Sequence, residues 1–202
     1  MKKLILFDLD GVLLDSQANM EHAWAAVRKK TGITVPFEDY FALIGRPFRD
    51  ILDRLGLGEN QAAIEQAYMA SSLYFLSNAP FYEGTKETLQ ALAASGKKLG
   101  IVTSKDEVRT KAVLDQLGVK FSTIQCPKNP FRGKPAPDHL LIAMAESGED
   151  PADTVYVGDM DTDYHAAVRA GIDYVHASWG YGQPIENIAS LESIDHLLPF
   201  LS

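Results

Sequence analysis

The sequence predicts an α/β fold, in which a doubly wound parallel sheet carries helices on both faces and an all-helical insertion follows the first strand. The first observation is a series of short apolar or β-branched runs, most of them followed by a turn signal and a helical pattern, at 3–7, 98–103, 121–125, 154–157 and 174–176. These runs lack polar alternation, which is typical of parallel strands buried on both faces. The second is the length of 202 residues, enough for one such domain with a smaller insertion.

Helix signals separate the predicted strands. Thr85 is placed to begin a helix over 85–96, and Ser104 with Glu107 has the spacing of a capping box for the next helix. Pro137 suits the first turn of a further helix, and Gly171 ends the one before the last strand. This alternation of strand and helix predicts the parallel sheet.

One long stretch interrupts the alternation. Between about residues 16 and 80 the sequence has no strand-like run but several helical patterns, at 20–27, 36–43, 48–56 and 64–75. We therefore expect residues 15–81 to form a separate helical domain, inserted into a core domain made of residues 1–14 and 82–202.

Composition limits the classes of partner. The 27 acidic and 19 basic residues give a net charge of −8, which argues against binding nucleic acid through the general surface. Cys126 is the only cysteine, so an intramolecular disulfide is excluded and a reducing cytoplasm is expected. The apolar run at 4–7 is too short for a signal peptide, and no run approaches the length of a membrane span. We expect a cytoplasmic protein without membrane contact, as a monomer or small homo-oligomer.

Polar residues follow the predicted strands at their carboxyl ends, where parallel sheets bind ligands. Asp8 and Asp10 follow the first strand, Thr103 and Ser104 end the second, and 158–163 (Gly-Asp-Met-Asp-Thr-Asp) follows the fourth. Lys134 lies in a proline-rich turn between them. Each of these alone is explained by an ordinary turn, a strand end, a helix cap or a surface charge.

The combination indicates a chemical site. Several carboxylates at one sheet edge would repel one another unless a cation lay among them, and hard oxygen ligands favour Mg²⁺. A magnesium ion with a free carboxylate, a hydroxyl, a lysine and backbone amides is suited to handling a phosphoryl group. The sequence therefore predicts a site that handles a phosphoryl group.

These motifs, in this order, resemble the haloacid dehalogenase superfamily, and in particular its phosphoglycolate-phosphatase-like members. The motifs are 8–12 (Asp-Leu-Asp-Gly-Val), Thr103-Ser104, 134–137 (Lys-Pro-Ala-Pro) and 158–163. The resemblance implies a Rossmann-like core and identifies the insertion at 15–81 as a small helical cap. It further implies a Mg²⁺-dependent phosphatase that forms an aspartyl-phosphate and acts on a small phosphorylated metabolite.

The resemblance also implies roles for individual residues. Asp8 is expected to be the nucleophile, and Asp10 the acid that protonates the leaving oxygen and then activates water. Thr103, Ser104 and Lys134 are expected to bind the phosphoryl group. Asp8, the Asp10 carbonyl and Asp159 are expected to bind Mg²⁺, with Asp163 supporting the metal or Lys134.

Several alternatives stay open at the level of sequence. A phosphomutase of the same family, similar to β-phosphoglucomutase, would return the phosphoryl group to its product instead of passing it to water. Phosphonatases of the family use a cap lysine, but Lys29 and Lys30 read better as an exposed helix end. Asp10 argues against a dehalogenase, which needs no acid there. A phospho-acceptor receiver module also combines Asp, Thr and Lys, but without a helical insertion after the first strand.

Specificity is expected to come from the cap. Arg46 lies in a predicted turn between cap helices, and we expect its guanidinium to reach the non-phosphate end of the substrate. Many members of that family differ from this chain between the second and third motifs, where it has Cys126, Lys128 and Arg132. Their roles stay open. Cys126 either packs as a small apolar residue at a strand end or lines the site, and Lys128 and Arg132 are either solvated charges or charges that attract an anionic substrate.

Overall fold

The computed structural model describes residues 2–76 and 78–201, and a six-stranded parallel sheet forms its centre. The strand order is β3-β2-β1-β4-β5-β6, so β1 lies between β2 and β4. The strands are β1 (Leu4–Phe7), β2 (Lys98–Val102), β3 (Thr123–Gln125), β4 (Thr154–Gly158), β5 (Asp173–Ala177) and β6 (Ser190–Leu191). This topology confirms the predicted doubly wound α/β class.

Helices cover both faces of the sheet. They are α1 (Gln17–Thr31), α2 (Phe37–Phe41), α3 (Phe48–Arg54), α4 (Gln61–Leu76), α5 (Thr85–Ala94), α6 (Glu107–Leu114), α7 (Asp138–Ser147), α8 (Asp161–Ala170) and α9 (Leu197–Phe200), with 3₁₀ turns at Gly58–Asn60, Pro151–Asp153 and Ile194–His196. Within residues 2–76 and 78–201, none of these helices combines the length and apolar character that crossing a bilayer requires.

Alternate residues of β1 explain why the strand is apolar throughout. Ile5 and Phe7 pack in the core cluster that holds α5, α6 and α9, whereas Leu4 and Leu6 pack in the cluster under α7 and α8. All four side chains are fully buried. Successive side chains of a strand point to opposite faces, so a strand covered on both sides has no polar position.

The structure corrects several predicted boundaries. Helix α6 is capped by Asp106, whose carboxylate accepts a hydrogen bond from the Arg109 amide, so the predicted capping box at Ser104 is wrong. Pro137 precedes α7 instead of occupying its first turn. Strand β6 was not predicted, because two partly exposed residues are too short to produce an apolar run.

The segment after β1 folds into α1–α4, which we call the helical cap. Its helices share their own apolar cluster, centred on Trp24 stacked against Tyr40 with ring centroids 4.4 Å apart. We propose that the domain boundaries lie near 14/15 and 81/82, where the two connections run side by side. There the Asp15 amide donates to the Pro80 carbonyl at 2.9 Å, and Leu14 forms an isolated bridge with Phe81.

Candidate active site

The predicted site residues come from the carboxyl ends of three adjacent strands. Asp8 follows β1, Thr103 follows β2 and Asp159 follows β4, so the parallel order brings them to one sheet edge. All three are buried. The central position of β1 places Asp8 in the middle of this group, beneath the helical cap.

Three buried carboxylates form a tight cluster at this edge. Ligand oxygens of Asp8, Asp159 and Asp163 lie within 4.8 Å of one another. Asp8 Oδ1 and Asp159 Oδ1 are buried without a hydrogen-bond partner, a costly arrangement for charged oxygens. Burial raises the pKa of Asp8 to about 7, despite the opposing effect of Lys134. Burial, together with Asp163 and Asp8, raises the pKa of Asp159 well above its usual range.

Lys134 balances part of this negative charge. Its Nζ lies 2.6 Å from Asp163 Oδ1 and 3.0 Å from Asp8 Oδ2, and it donates to the Tyr156 hydroxyl at 3.1 Å. Burial alone would lower the pKa of Lys134, but the Asp163 and Asp8 carboxylates outweigh it and raise that pKa. The ammonium is therefore held in its charged form between the two acids.

Asp163 accepts hydrogen bonds on both of its carboxylate oxygens. One carboxylate oxygen accepts from Lys134, and the other accepts from the backbone amides of Asp159 at 3.2 Å and Met160 at 3.0 Å. Both oxygens are thus engaged in holding the lysine and shaping the turn before α8. The two unpartnered oxygens, on Asp8 and Asp159, are the ones free to bind a cation.

Close backbone packing holds Asp159 in place. The Tyr181 amide donates to Asp159 Oδ2 at 2.8 Å. Gly11 has a φ of +83°, and a Cβ there would lie 2.2 Å from the same oxygen. Glycine at position 11 therefore lets the loop after β1 approach this carboxylate, which gives the Asp-Leu-Asp-Gly pattern a steric reason.

Asp10 has two partners that the sequence analysis missed. Ser16 Oγ donates to Asp10 Oδ1 at 2.5 Å, and Lys105 Nζ lies 3.0 Å from the same oxygen. Lys105 is only 4 % exposed, and burial lowers its pKa even though Asp10 opposes this effect. The only feature of the sequence that could have indicated a site role for Lys105 was its position directly after Thr103-Ser104. A lone lysine in a loop is usually a solvated charge.

The two hydroxyl residues after β2 differ in their surroundings. Thr103 is buried beside the cluster, and its Oγ1 accepts from the Lys105 amide at 3.2 Å. Ser104 Oγ donates to the Gly45 carbonyl of the cap at 2.8 Å. The structure thus gives Ser104 a contact with the cap, and phosphate binding by both residues stays a prediction.

A small cavity of about 60 Å³ separates the cap from the core. Its lining combines the reactive residues with cap side chains: Asp8, Asp10, Met20, Tyr40, Ile44, Gly45, Arg46, Phe48, Ile51, Tyr68, Thr103, Ser104, Lys105, Arg109 and Met160. Arg46 thus borders the site, with its Nη2 3.7 Å from Asp161 Oδ2. Arg109 is a second arginine that the sequence analysis did not single out.

The other residues that the sequence analysis singled out do not line this cavity. Cys126 and Lys128 line a separate groove between β3 and α6, and Arg132 pairs with Asp138 at the surface, with Nη2 2.8 Å from Oδ1. Lys29 and Lys30 are exposed at the end of α1. Residues 29, 30, 126, 128 and 132 are therefore absent from the lining of the candidate site in the described part of the chain.

Comparison with known proteins gives concordant results. The family model described as "Haloacid dehalogenase-like hydrolase" matches residues 5–177. The phosphoglycolate phosphatase of Aquifex aeolicus is 31% identical over 188 residues, covering 89% of this chain and 86% of the relative. The tyrosine-protein kinase PtkA of Mycobacterium tuberculosis is also 31% identical, over 90% of this chain, but the chain spans only 64% of that relative's length.

Solved structures share the fold. A hydrolase from Pseudomonas syringae superimposes with a TM-score of 0.86 at 23% identity, covering 99% of this chain and 98% of that one. CbbY from Rhodobacter sphaeroides, solved in complex with phosphate, gives a TM-score of 0.83 at 17% identity, covering 98% and 96%. At these identities the likeness establishes the architecture, including the sheet and the cap, and no more.

Proposed function

We propose a function from the premise that this chain belongs to the haloacid dehalogenase-like hydrolase family: it is a Mg²⁺-dependent phosphatase that hydrolyses a small phosphomonoester through an aspartyl-phosphate. The family match over residues 5–177 confirms the resemblance seen in the sequence. The observation that carries the proposal is the pair of buried, unpartnered oxygens on Asp8 and Asp159 beside the charged Lys134. The names of the phosphoglycolate phosphatases among the relatives support a phosphatase.

The donor set fits magnesium. Asp8 Oδ1 and Asp159 Oδ1 are hard oxygen donors whose burial is costly without a cation, and the Asp10 carbonyl is the third expected ligand. When bound, Mg²⁺ would offset the negative charge that otherwise keeps an anionic phosphoryl group away from a carboxylate nucleophile. No histidine or cysteine joins this cluster among the described residues, which argues against a softer metal.

Two displacements divide the reaction. In the first, an Asp8 carboxylate oxygen bonds to phosphorus as the ester oxygen leaves, and Asp10 gives that oxygen a proton. In the second, the Asp10 carboxylate takes a proton from water, the water oxygen bonds to phosphorus, and Asp8 is released. We expect Lys134 and Thr103 to stabilise the phosphoryl oxygens in both steps, because Lys134 pairs with Asp8 and Thr103 lines the same cavity.

Contacts to Asp10 suit this double role. Ser16 and Lys105 both contact Oδ1, so the rotation of the carboxyl group is restrained. The leaving oxygen of the first step and the water oxygen of the second step both lie opposite Asp8 in an in-line displacement. A carboxyl group restrained beside that position can therefore protonate the first and deprotonate the second.

Metal-dependent phosphate release tests the proposal. A panel of small phosphorylated metabolites is assayed with Mg²⁺ and with EDTA, and Asp8→Asn serves as the inactive control. Turnover that requires both Mg²⁺ and Asp8 supports the proposal. Interconversion of sugar phosphates without phosphate release would indicate the phosphomutase. Phosphate transfer from a nucleotide to tyrosine, the activity that the name of PtkA implies for that relative, would indicate a kinase.

The remaining expectations follow from the same proposal. A phosphatase for a small metabolite needs no nucleic-acid or membrane surface, so we expect it to work in the cytoplasm as a monomer or small homo-oligomer. Arg46 is the residue we expect to contact the non-phosphate end of the substrate, since it borders the cavity from the cap side.

A further inference from the structure

The cap lies closed over the reactive residues in this structure. The cavity between cap and core measures about 60 Å³, which holds only a few water molecules. Residues of both the cap and the core line this space, so the contacts that join cap and core set how closely the cap covers the reactive residues.

One of those contacts is deeply buried and carries a full charge. Arg109 extends from α6 of the core and is 6 % exposed. Its Nη1 donates to Ser72 Oγ of the cap helix α4 at 2.9 Å, and its guanidinium carbon lies 5.4 Å from the centre of the Tyr68 ring. The guanidinium thus bridges core and cap, and Arg109 lines the cavity between them.

The partners on each side are themselves held in place. On the core side, Arg109 Nε donates to Asp106, the residue that caps α6. On the cap side, Ser72 Oγ donates to Asn19 Oδ1 at 2.8 Å, and Asn19 Nδ2 donates to the Ser72 carbonyl at 2.8 Å. A chain of buried polar groups therefore runs from the start of α6 through Arg109 to both long helices of the cap.

The free energy of the Arg109 contacts depends on the position of the cap. Burial alone would lower the pKa of Arg109, but Tyr68 and Asp106 outweigh it and raise that pKa, so the group stays charged. A hydrogen bond to a charged group is stronger than a neutral one, and a buried donor without its partner is penalised. Opening the cap removes Ser72 and Tyr68 together and leaves Asp106 as the remaining partner of the three.

We propose that Arg109 is a positioning residue, which holds the helical cap closed over the active site through Ser72 and Tyr68. The segment that carries it also contains Thr103, which lines the cavity with Asp8, and Lys105, which contacts Asp10. Cap closure and the arrangement of the reactive residues thus share one short stretch of chain. This inference rests on the proposed function only for its kinetic test.

The direct test measures cap position without substrate. Spin labels are attached through cysteines introduced at exposed Glu59 of the cap and exposed Lys120 of the core, in a Cys126→Ser background. Double electron–electron resonance should give one dominant distance between the labels in the parent protein. In both Arg109→Met and Ser72→Ala it should give an additional population of molecules with a longer distance. Arg49→Met, which breaks an exposed ion pair within the cap, should leave the distances unchanged.

The kinetic test separates positioning from general damage. For the best small substrate, Arg109→Met should lower kcat/KM by about 10- to 100-fold, the equivalent of one charge-assisted hydrogen bond. The leaving group of p-nitrophenyl phosphate carries no second anion for cap residues to hold, so its turnover gains little from cap closure and should change by no more than about twofold. Arg109→Lys should recover part of the loss, since it keeps the charge but not the planar fork.

Two outcomes would overturn the inference. Unchanged distances in both Arg109→Met and Ser72→Ala would show that this junction does not hold the cap. Equal losses on both substrates would indicate a direct or purely structural effect. If no phosphorylated substrate is turned over, the proposed function fails, and the spin-label distances still decide the role of Arg109. Melting temperatures identify a variant that has simply unfolded, in which case Ser72→Ala carries the test.

Discussion

Replacing Lys134 by methionine should strongly destabilise the metal-free protein. The side chain is buried, and its ammonium lies 2.6 Å from Asp163 and 3.0 Å from Asp8. Removing one partner from a buried ion pair costs about 3–5 kcal/mol, because the other charge is left uncompensated. In a chain of 202 residues, each kcal/mol lowers the melting temperature by about 2–4 °C, so a loss of about 6–20 °C is expected.

The assay is thermal unfolding in EDTA at several pH values, with Lys128→Met as the control. Lys128 is exposed, so its replacement should change stability by less than about 0.5 kcal/mol. Without Lys134 the pKa of Asp8 in the folded protein rises still further above its value in the unfolded chain. The folded variant therefore keeps the Asp8 proton to a higher pH than the unfolded chain does. The destabilisation should therefore be small near pH 4 and largest near pH 8. An equal loss at pH 5 and pH 8 would refute the argument from charge and indicate lost packing instead.

Further predictions concern the reaction, its metal and its substrate. Asp8→Asn should abolish phosphate release with an unchanged circular dichroism spectrum; normal activity in the folded variant would exclude the covalent route. Asp10→Asn should slow turnover by about 10²–10⁴-fold and trap phosphorylated Asp8, which intact-mass spectrometry would detect; an unchanged rate without any adduct would contradict its assigned role. Because burial raises the pKa of Asp8 to about 7 from a model-peptide value of 3.8, metal-free stability should fall as pH rises from about 4 to 7. Mg²⁺ favours the ionised form, so its thermal stabilisation should be larger at pH 8 than at pH 5, and calorimetry showing the reverse would argue against Asp8 as a ligand. Arg46→Ala should raise KM for the best substrate more than for p-nitrophenyl phosphate, and equal effects on both would make Arg46 a simple connector.

The core strands could be predicted because each one is buried on both faces. A strand such as β1 must then be apolar at every position, and this leaves a clear local pattern. Strand β6 has no such pattern, since it covers only two partly exposed residues at the edge of the sheet. The start of α6 was misplaced because Ser104 and Asp106 both suit a cap, and the choice depends on backbone geometry and on Gly45, far away in sequence.

Lys105 and Arg109 show the limit of sequence reasoning at the site. Both are basic residues near a helix start, and an isolated basic residue is normally solvated. Arg109 is buried where the helical cap lies on the core and provides Ser72 and Tyr68 as neighbours, and Lys105 is buried beside Asp10. No local pattern carries that information.

The sequence by itself determined the α/β class, the position of the helical insertion and the meeting of Asp8, Thr103 and Asp159 at one sheet edge. Parallel strands bring their carboxyl ends to one edge, so residues that follow the strands meet whatever the rest of the chain does. Only the tertiary structure decided which oxygens are left without partners, which lysine contacts Asp10 and how the cap is held. These three features depend on packing between segments that are distant in sequence. That packing buries charged groups and so changes their free energies, and no local sequence pattern indicates which groups become buried.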